Sequence, residues 1–329
     1  MTRPLARGLG GVGLVLLGIA ALGQTPPSTP PAPPAQPPRT APPLVIEADV
    51  NVVSVTAVIF DKAGRFVPGL GIKDIQLLED GVKQEVTYFK EASDGEGERI
   101  PLSVALVLDT SGSMVPHMRF LQEAASNFLF KLEETDSAMV VSFNESVKGS
   151  TEFTSDFEQL EQKINGLQPW GGTSLYDAVH YSLGRVKDQP GRKAVVVFSD
   201  GADTTSTSFN DQAVVDYAKA VEATIYIIGF RGSAGLFAST NKGFFRKLCD
   251  ETGGAFFFPD KIGELSKIFG TIANELKNHY LLSYSPQRSP DGNYRTISLR
   301  LLSPQAKDYE VRVRKGYFAV KRRPPARSR

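Results

Sequence analysis

A single cysteine, Cys249, stands among 329 residues, so no intramolecular disulfide can form. Its stretch, Phe244-Phe-Arg-Lys-Leu-Cys249, has helical spacing, which makes it a small packing residue rather than a reactive thiol. Charge of one sign is also missing. Lys and Arg total 37 against 36 Asp and Glu, a formal net charge of +1, which excludes the basic footprint of a nucleic-acid binder. The one concentrated basic stretch is the tail at 321–329, read as a solvated chain end. Histidine is scarce. His117, His180 and His279 are scattered, and none has an evident nucleophile beside it. His180 falls in a helical pattern and reads as a surface or packing residue. No apolar run reaches the roughly 20 residues that a membrane-spanning helix needs.

The N-terminus is apolar without being long enough to span. Arg3 and Arg7 give a positive start, Leu9 to Leu22 is apolar and glycine-rich, and Ala21-Leu-Gly23 supplies small residues for signal cleavage. Residues 1–23 therefore read as an export signal cut after Gly23, placing the chain in the periplasm, on the cell surface or outside. A membrane contact enters only if that segment stays uncleaved. The glycines from Gly8 to Gly13 spell a dinucleotide fingerprint, but they follow no strand and lie inside the signal. Residues 24–43 form a proline-rich linker that runs extended.

Folded sequence begins near Leu44. Val50 to Phe60 is rich in β-branched residues, and Asp80-Gly81 between apolar runs signals a hairpin, with Ile75, Leu77, Val82, Val86 and Tyr88 around it. Ser93 to Glu98 is polar and glycine-rich and reads as a boundary. Near the other end, Ile297, Leu299 and Leu301 alternate with polar residues, as do Tyr309, Val311 and Val313. Each flank is too short to close a core alone. We therefore expect residues 44–92 and 279–320 to pair into one small β-sandwich, with residues 101–278 inserted between its halves and a basic tail at 321–329.

In the inserted part, strands alternate with helical patterns, which predicts an α/β fold with a doubly wound, mostly parallel six-stranded sheet. Strands are expected at Ser103–Leu108, Ala138–Phe143, Ala194–Ser199, Thr224–Gly229 and Ala255–Phe258, with Val147–Phe153 as the antiparallel edge. Helical patterns fall near Met118–Leu132, Asp156–Asn165, Leu175–Lys187, Gln212–Glu222, Lys242–Asp250 and Ile262–Lys277.

Asp109-Thr-Ser-Gly-Ser113 follows the first of these strands, Gly171-Gly-Thr173 precedes a helical pattern, and Ala194 to Ser199 ends on Asp200. Carboxylate and hydroxyl oxygens are hard ligands, suited to Mg²⁺, Mn²⁺ or Ca²⁺ and not to zinc or copper. Ligands gather at the carboxyl ends of parallel strands, where Asp109 and Asp200 would meet. Any one of these residues could instead be only a helix cap, Thr173 before Ser174 to Asp177 in particular. Asp109 is expected at a sheet edge facing solvent. Met114 to Pro116 and the polar loop from Asp203 to Asn210 would rim this face. Asp203 supports that loop or is simply exposed. His117 lies beside it. Trp170 either contacts a partner or packs beneath the loop, with packing favoured.

The set resembles the metal-ion-dependent adhesion site of von Willebrand factor type A domains, whose pattern is Asp-x-Ser-x-Ser, then a distant Thr, then a distant Asp after an apolar strand. Asp109, Ser111, Ser113, Thr173 and Asp200 match it in order. The resemblance covers roughly Pro101 to Lys277, and the flanks look like those of secreted acidobacterial type A-related proteins. It implies that Ser111, Ser113 and Thr173 bind the ion directly, while Asp109 and Asp200 often act through water or hydrogen bonds. It further implies a bound Mg²⁺ (or Mn²⁺ or Ca²⁺) completed by an Asp or Glu of a protein partner. The implied activity is non-catalytic, exported protein binding and adhesion, or alternatively a scaffold subunit in a cell-envelope complex. A metal-assisted hydrolase would need a base that the sequence does not show. Asp109-Thr-Ser-Gly112 is similar to an aspartic-protease Asp-Thr-Gly, but Ser111 interrupts it and no second copy could form the dyad.

Overall fold

The computed structural model describes residues 51–92, 99–200, 203–230, 241–302 and 306–320. The export signal, the proline-rich linker, the Ser93–Glu98 boundary and the basic tail lie outside the described residues. Four strands precede the central part: β1 (Val53–Asp61), β2 (Ile75–Glu79), β3 (Val82–Lys83) and β4 (Val86–Ala92). The turn between β2 and β3 places Asp80 at φ +47° and Gly81 at φ +80°. Two consecutive positive φ values match the right-handed twist of a two-residue hairpin, which is why Asp-Gly occurs there.

The central part then alternates as expected. Its elements are β5 (Leu102–Asp109), α1 (Met118–Leu129), β6 (Ser137–Phe143), β7 (Val147–Ser150), α2 (Phe157–Asn165), α3 (Leu175–Lys187), β8 (Arg192–Ser199), α4 (Asp211–Ala220), β9 (Thr224–Gly229), α5 (Lys242–Thr252), β10 (Phe256–Phe257) and α6 (Leu265–Lys277). The strands form one six-stranded sheet in the order β10-β9-β8-β5-β6-β7, with only the β6–β7 pair antiparallel. Every residue of β5 is buried, because helices cover both faces. One face packs Leu106 and Val196 against Leu121, Phe128, Leu160 and Phe269 of α1, α2 and α6. The other packs Val107 and Val197 against Leu183, Val215 and Leu248 of α3, α4 and α5. From β5 the chain steps to β6 on one side, while β8 continues to β9 on the other. The strand order therefore reverses at β5 and β8, the place where a doubly wound sheet opens a crevice.

The chain leaves α6 straight into β11 (His279–Tyr284), followed by β12 (Tyr294–Leu301), β13 (Tyr309–Val313) and β14 (Gly316–Phe318). Both flanks share two four-stranded sheets, β13-β1-β11-β4 and β14-β12-β2-β3. Val55 lies opposite Leu282, and Leu77 opposite Leu299. Val55, Ile59, Leu77, Tyr280, Leu282 and Leu299 belong to one core between the sheets. The expected two-sheet sandwich around an inserted α/β sheet is thus the architecture found. Val82 and Tyr88 sit on its outside, both well exposed, since β3 and β4 are edge strands. β10 is only two residues long, and β7 ends at Ser150.

Candidate metal centre

Asp109 is the last residue of the central strand β5 and is wholly buried, not facing solvent as the sequence suggested. The crevice closes over it because neighbouring loops use its carboxylate as their anchor. Its Oδ1 accepts the Ser111 N–H at 2.8 Å, and its Oδ2 accepts the Ser199 hydroxyl at 2.6 Å. The chain then makes a tight 3-10 turn, Gly112–Met114, which brings the Ser111 and Ser113 hydroxyl oxygens to 3.0 Å. The Gly112 N–H donates to the Gly171 carbonyl at 2.9 Å, and the Trp170 N–H donates to the Thr110 carbonyl at 2.8 Å. Those two bonds lay the loop carrying Thr173 against the turn carrying Ser111 and Ser113. Gly171 has φ +75°, a conformation that costs glycine little and a side-chain-bearing residue more.

Thr173 is buried, and its backbone is held from the loop after β8. Its N–H donates to the Thr204 hydroxyl at 2.9 Å, and its carbonyl accepts the Thr204 and Thr205 N–H groups at 2.8 and 3.1 Å. It does not cap α3, because Ser174 occupies the cap position. The Ser174 hydroxyl instead donates to the Glu145 carbonyl at 2.6 Å, tying in the β6–β7 loop. Asp200 follows β8 and is almost entirely buried, and its Oδ1 has no hydrogen-bond partner.

Burial pushes the Asp109 carboxyl up to about 7, and the nearby Asp200 charge pushes in the same direction against the hydrogen bonds from Ser111 and Ser199. His117 stands just before α1 with its ring edge-on to Phe230, 4.6 Å between centroids. Burial lowers its pKa while Asp200 opposes that shift, and its Nδ1 is buried without a partner. Two buried carboxylates, Asp109 and Asp200, and the paired Ser111 and Ser113 hydroxyls lie at the ends of the neighbouring strands β5 and β8. An orphaned carboxylate oxygen at that point fits a hard divalent cation. Among the described residues no group of three or more His, Cys, Asp or Glu side chains that could hold a metal occurs.

Asp203 braces the rim rather than standing exposed. Its carboxylate accepts the Tyr176 N–H of the first turn of α3 at 2.9 Å and the Ser206 hydroxyl at 2.6 Å. Asp177 of α3 returns the favour by accepting the N–H groups of Thr207, Ser208 and Phe209. This exchange fixes the Asp203–Asn210 loop to the helix beneath it. Trp170 is not packed under the loop. It is 49% exposed, with the Lys148 ammonium 5.1 Å from its ring centroid, and Val115 is 62% exposed. His180 stacks between Phe209 and Tyr217, and so packs. Cys249 is buried and free. Sequence reasoning missed Ser199, Asp177 and Thr204. Ser199 left a trace, a lone hydroxyl closing the apolar run of β8 directly before Asp200.

Residues 104–202 match the family model for the von Willebrand factor type A domain. The matched span covers the strands β5 to β8, so the central part of the chain is similar to von Willebrand factor type A domains. Among solved structures it is similar to the PilB minor pilin from Streptococcus sanguinis at 16% identity and a TM-score of 0.47, covering 56% of this chain and 63% of that one. It is similar to the vWF domain of the type V pili tip protein Mfa5 from Porphyromonas gingivalis at 16% identity and a TM-score of 0.46, covering 55% of this chain and 96% of that one. A von Willebrand factor type A protein from Catenulispora acidiphila is 11% identical with a TM-score of 0.46, over 83% of this chain and 74% of that one. The chain thus spans less than two thirds of the pilin. Likenesses this distant carry nothing about function. No curated protein matches the chain. Among the described residues no helix is long and apolar enough to cross a membrane.

Proposed function

We propose that this protein is an exported, non-catalytic binding module that captures an acidic residue of a protein partner through a divalent cation, Mg²⁺ by preference. The observation that carries the reading is the buried Asp109–Asp200 pair, with Asp200 Oδ1 left without a partner at the end of β8, the strand beside β5, after which the Ser111 and Ser113 hydroxyls pair. Both Asp109 oxygens already accept hydrogen bonds, so its part is to orient the turn and lend charge, while the hydroxyls and Asp200 are the groups free to hold an ion. Neutral hydroxyl ligands would leave the cation's charge largely unquenched and a coordination position open to a partner's carboxylate. Exposed Val115 and Trp170 are apolar surface where a partner could seat.

Calorimetric titration of Mg²⁺ or Mn²⁺ into chelator-stripped protein should give one saturable site and a raised melting temperature. No heat and no thermal shift at millimolar metal would overturn the reading.

A further inference from the structure

Among the described residues eight buried side-chain nitrogen or oxygen atoms have no hydrogen-bond partner. Three of them, Asp200 Oδ1, His117 Nδ1 and Asn144 Oδ1, lie in the segments that follow β8, β5 and β6, at the carboxyl ends of the parallel strands. Buried polar atoms without partners are rare in folded proteins, so three at one end of one sheet call for a common cause. Asp200 belongs to the metal centre proposed above. Asn144 is not among the five residues of that centre.

Asn144 is the first residue after β6 and only 1% exposed, while Glu145 and Ser146 beyond it face solvent. The β6–β7 ladder shifts register between Ser142 and Phe143, an irregularity of the kind that re-aims side chains at strand ends. Backbone bonds tie this point to both arms of the centre. The Asn144 carbonyl accepts the N–H of Ser174, the neighbour of Thr173, at 2.6 Å. One residue back, the Phe143 carbonyl accepts the Thr110 N–H at 2.7 Å and the Thr110 hydroxyl at 2.9 Å, just before Ser111. The Asn144 N–H donates to the Ser146 carbonyl at 3.1 Å, so its main-chain groups are satisfied. An asparagine kept for its turn would bond its amide oxygen to a backbone N–H two residues on, and this one does not.

We infer that Asn144 is a sixth residue of the cation site, its amide oxygen a neutral donor to the shell of the bound ion. The inference rests on the metal reading above. An amide oxygen is a hard ligand of the same class as the hydroxyls, and Mg²⁺ and Ca²⁺ both accept it. Being neutral, it leaves the cation's attraction for a partner's carboxylate undiminished. A cation and the water it holds also supply what a buried amide oxygen lacks, which offsets the cost of burying it.

The test is calorimetric titration of Mg²⁺ into the full-length parent, Asn144→Leu and Asn144→Asp, with melting temperatures taken in chelator. Asn144→Leu keeps the volume and removes the oxygen. It should bind Mg²⁺ about tenfold or more weakly, yet melt in chelator at or above the parent's temperature, because a buried acceptor without a donor is gone. Asn144→Asp keeps an oxygen and adds charge, so it should bind at least as tightly as the parent. Should the leucine variant fail to fold, Asn144→Ala is titrated in its place. A loss of less than about threefold in the folded neutral variant, or an aspartate variant no tighter than that variant, would overturn the inference. So would a leucine variant that melts well below the parent in chelator, since Asn144 would then be a brace of the loop. A parent that takes up no Mg²⁺ removes the metal reading and this inference with it. A parent that binds, matched by its neutral variant, removes this inference alone.

Discussion

Asp200→Asn should bind divalent metal about 10–100-fold more weakly than the parent, yet be as stable as it or more so without metal. The two effects have one origin. Asp200 Oδ1 makes no hydrogen bond that the substitution would break, and its charge raises the cost of ionising the buried Asp109. Removing that charge relieves repulsion in the metal-free protein and, at the proposed site, takes negative charge away from the cation. Thermal melts with and without Mg²⁺ measure both at once. The parent should gain stability on adding Mg²⁺ and the variant should not. A variant that is less stable than the parent without metal would make Asp200 a structural residue instead.

Glu79→Ala should cost about 3–5 kcal/mol of folding stability, because it strips the counter-charge from a buried network. Glu79 Oε2 accepts the Tyr284 and Tyr317 hydroxyls at 2.7 and 2.8 Å, and Oε1 accepts Arg288 and Arg295 at 3.1 and 3.3 Å. Arg295 is only 1% exposed; its other contacts are the Arg288 and Ser289 carbonyls and Asp291. Truncation would leave a buried guanidinium short of charge and two phenol groups without acceptors, in the core that joins the N-terminal flank to the C-terminal one. Urea unfolding reads the cost. A loss under about 1 kcal/mol would mean that Arg295 is compensated by Asp291 and the carbonyls alone.

Much of this architecture was legible because parallel strands buried on both faces leave unbroken apolar runs. Ser103–Leu108 and Ala194–Ser199 could hardly be anything else, and each ends on the carboxylate that the crevice gathers. The sandwich was legible from size, since two short alternating flanks need each other. Periodicity gives a face but not its occupant. It did not reveal that Val82 and Tyr88 lie on outer edges, or that Trp170 stands out over Lys148. Nor could it reveal the Glu79 cluster, whose partners lie some two hundred residues away. The depth of Asp109 was misread for a related reason. A residue closing a strand looks exposed until the loops at 110–114, 170–174 and 203–206 are seen bonded over it.

The most direct test of the central claim is capture, by the immobilised full chain, of a peptide carrying a single Glu and of its Gln counterpart, each in Mg²⁺ and in chelator. Retention of the Glu peptide in Mg²⁺ alone, with the other three combinations washing through, is the expected result. Equal retention of Glu and Gln peptides, or retention that survives the chelator, would contradict capture of a partner's carboxylate through a bound cation.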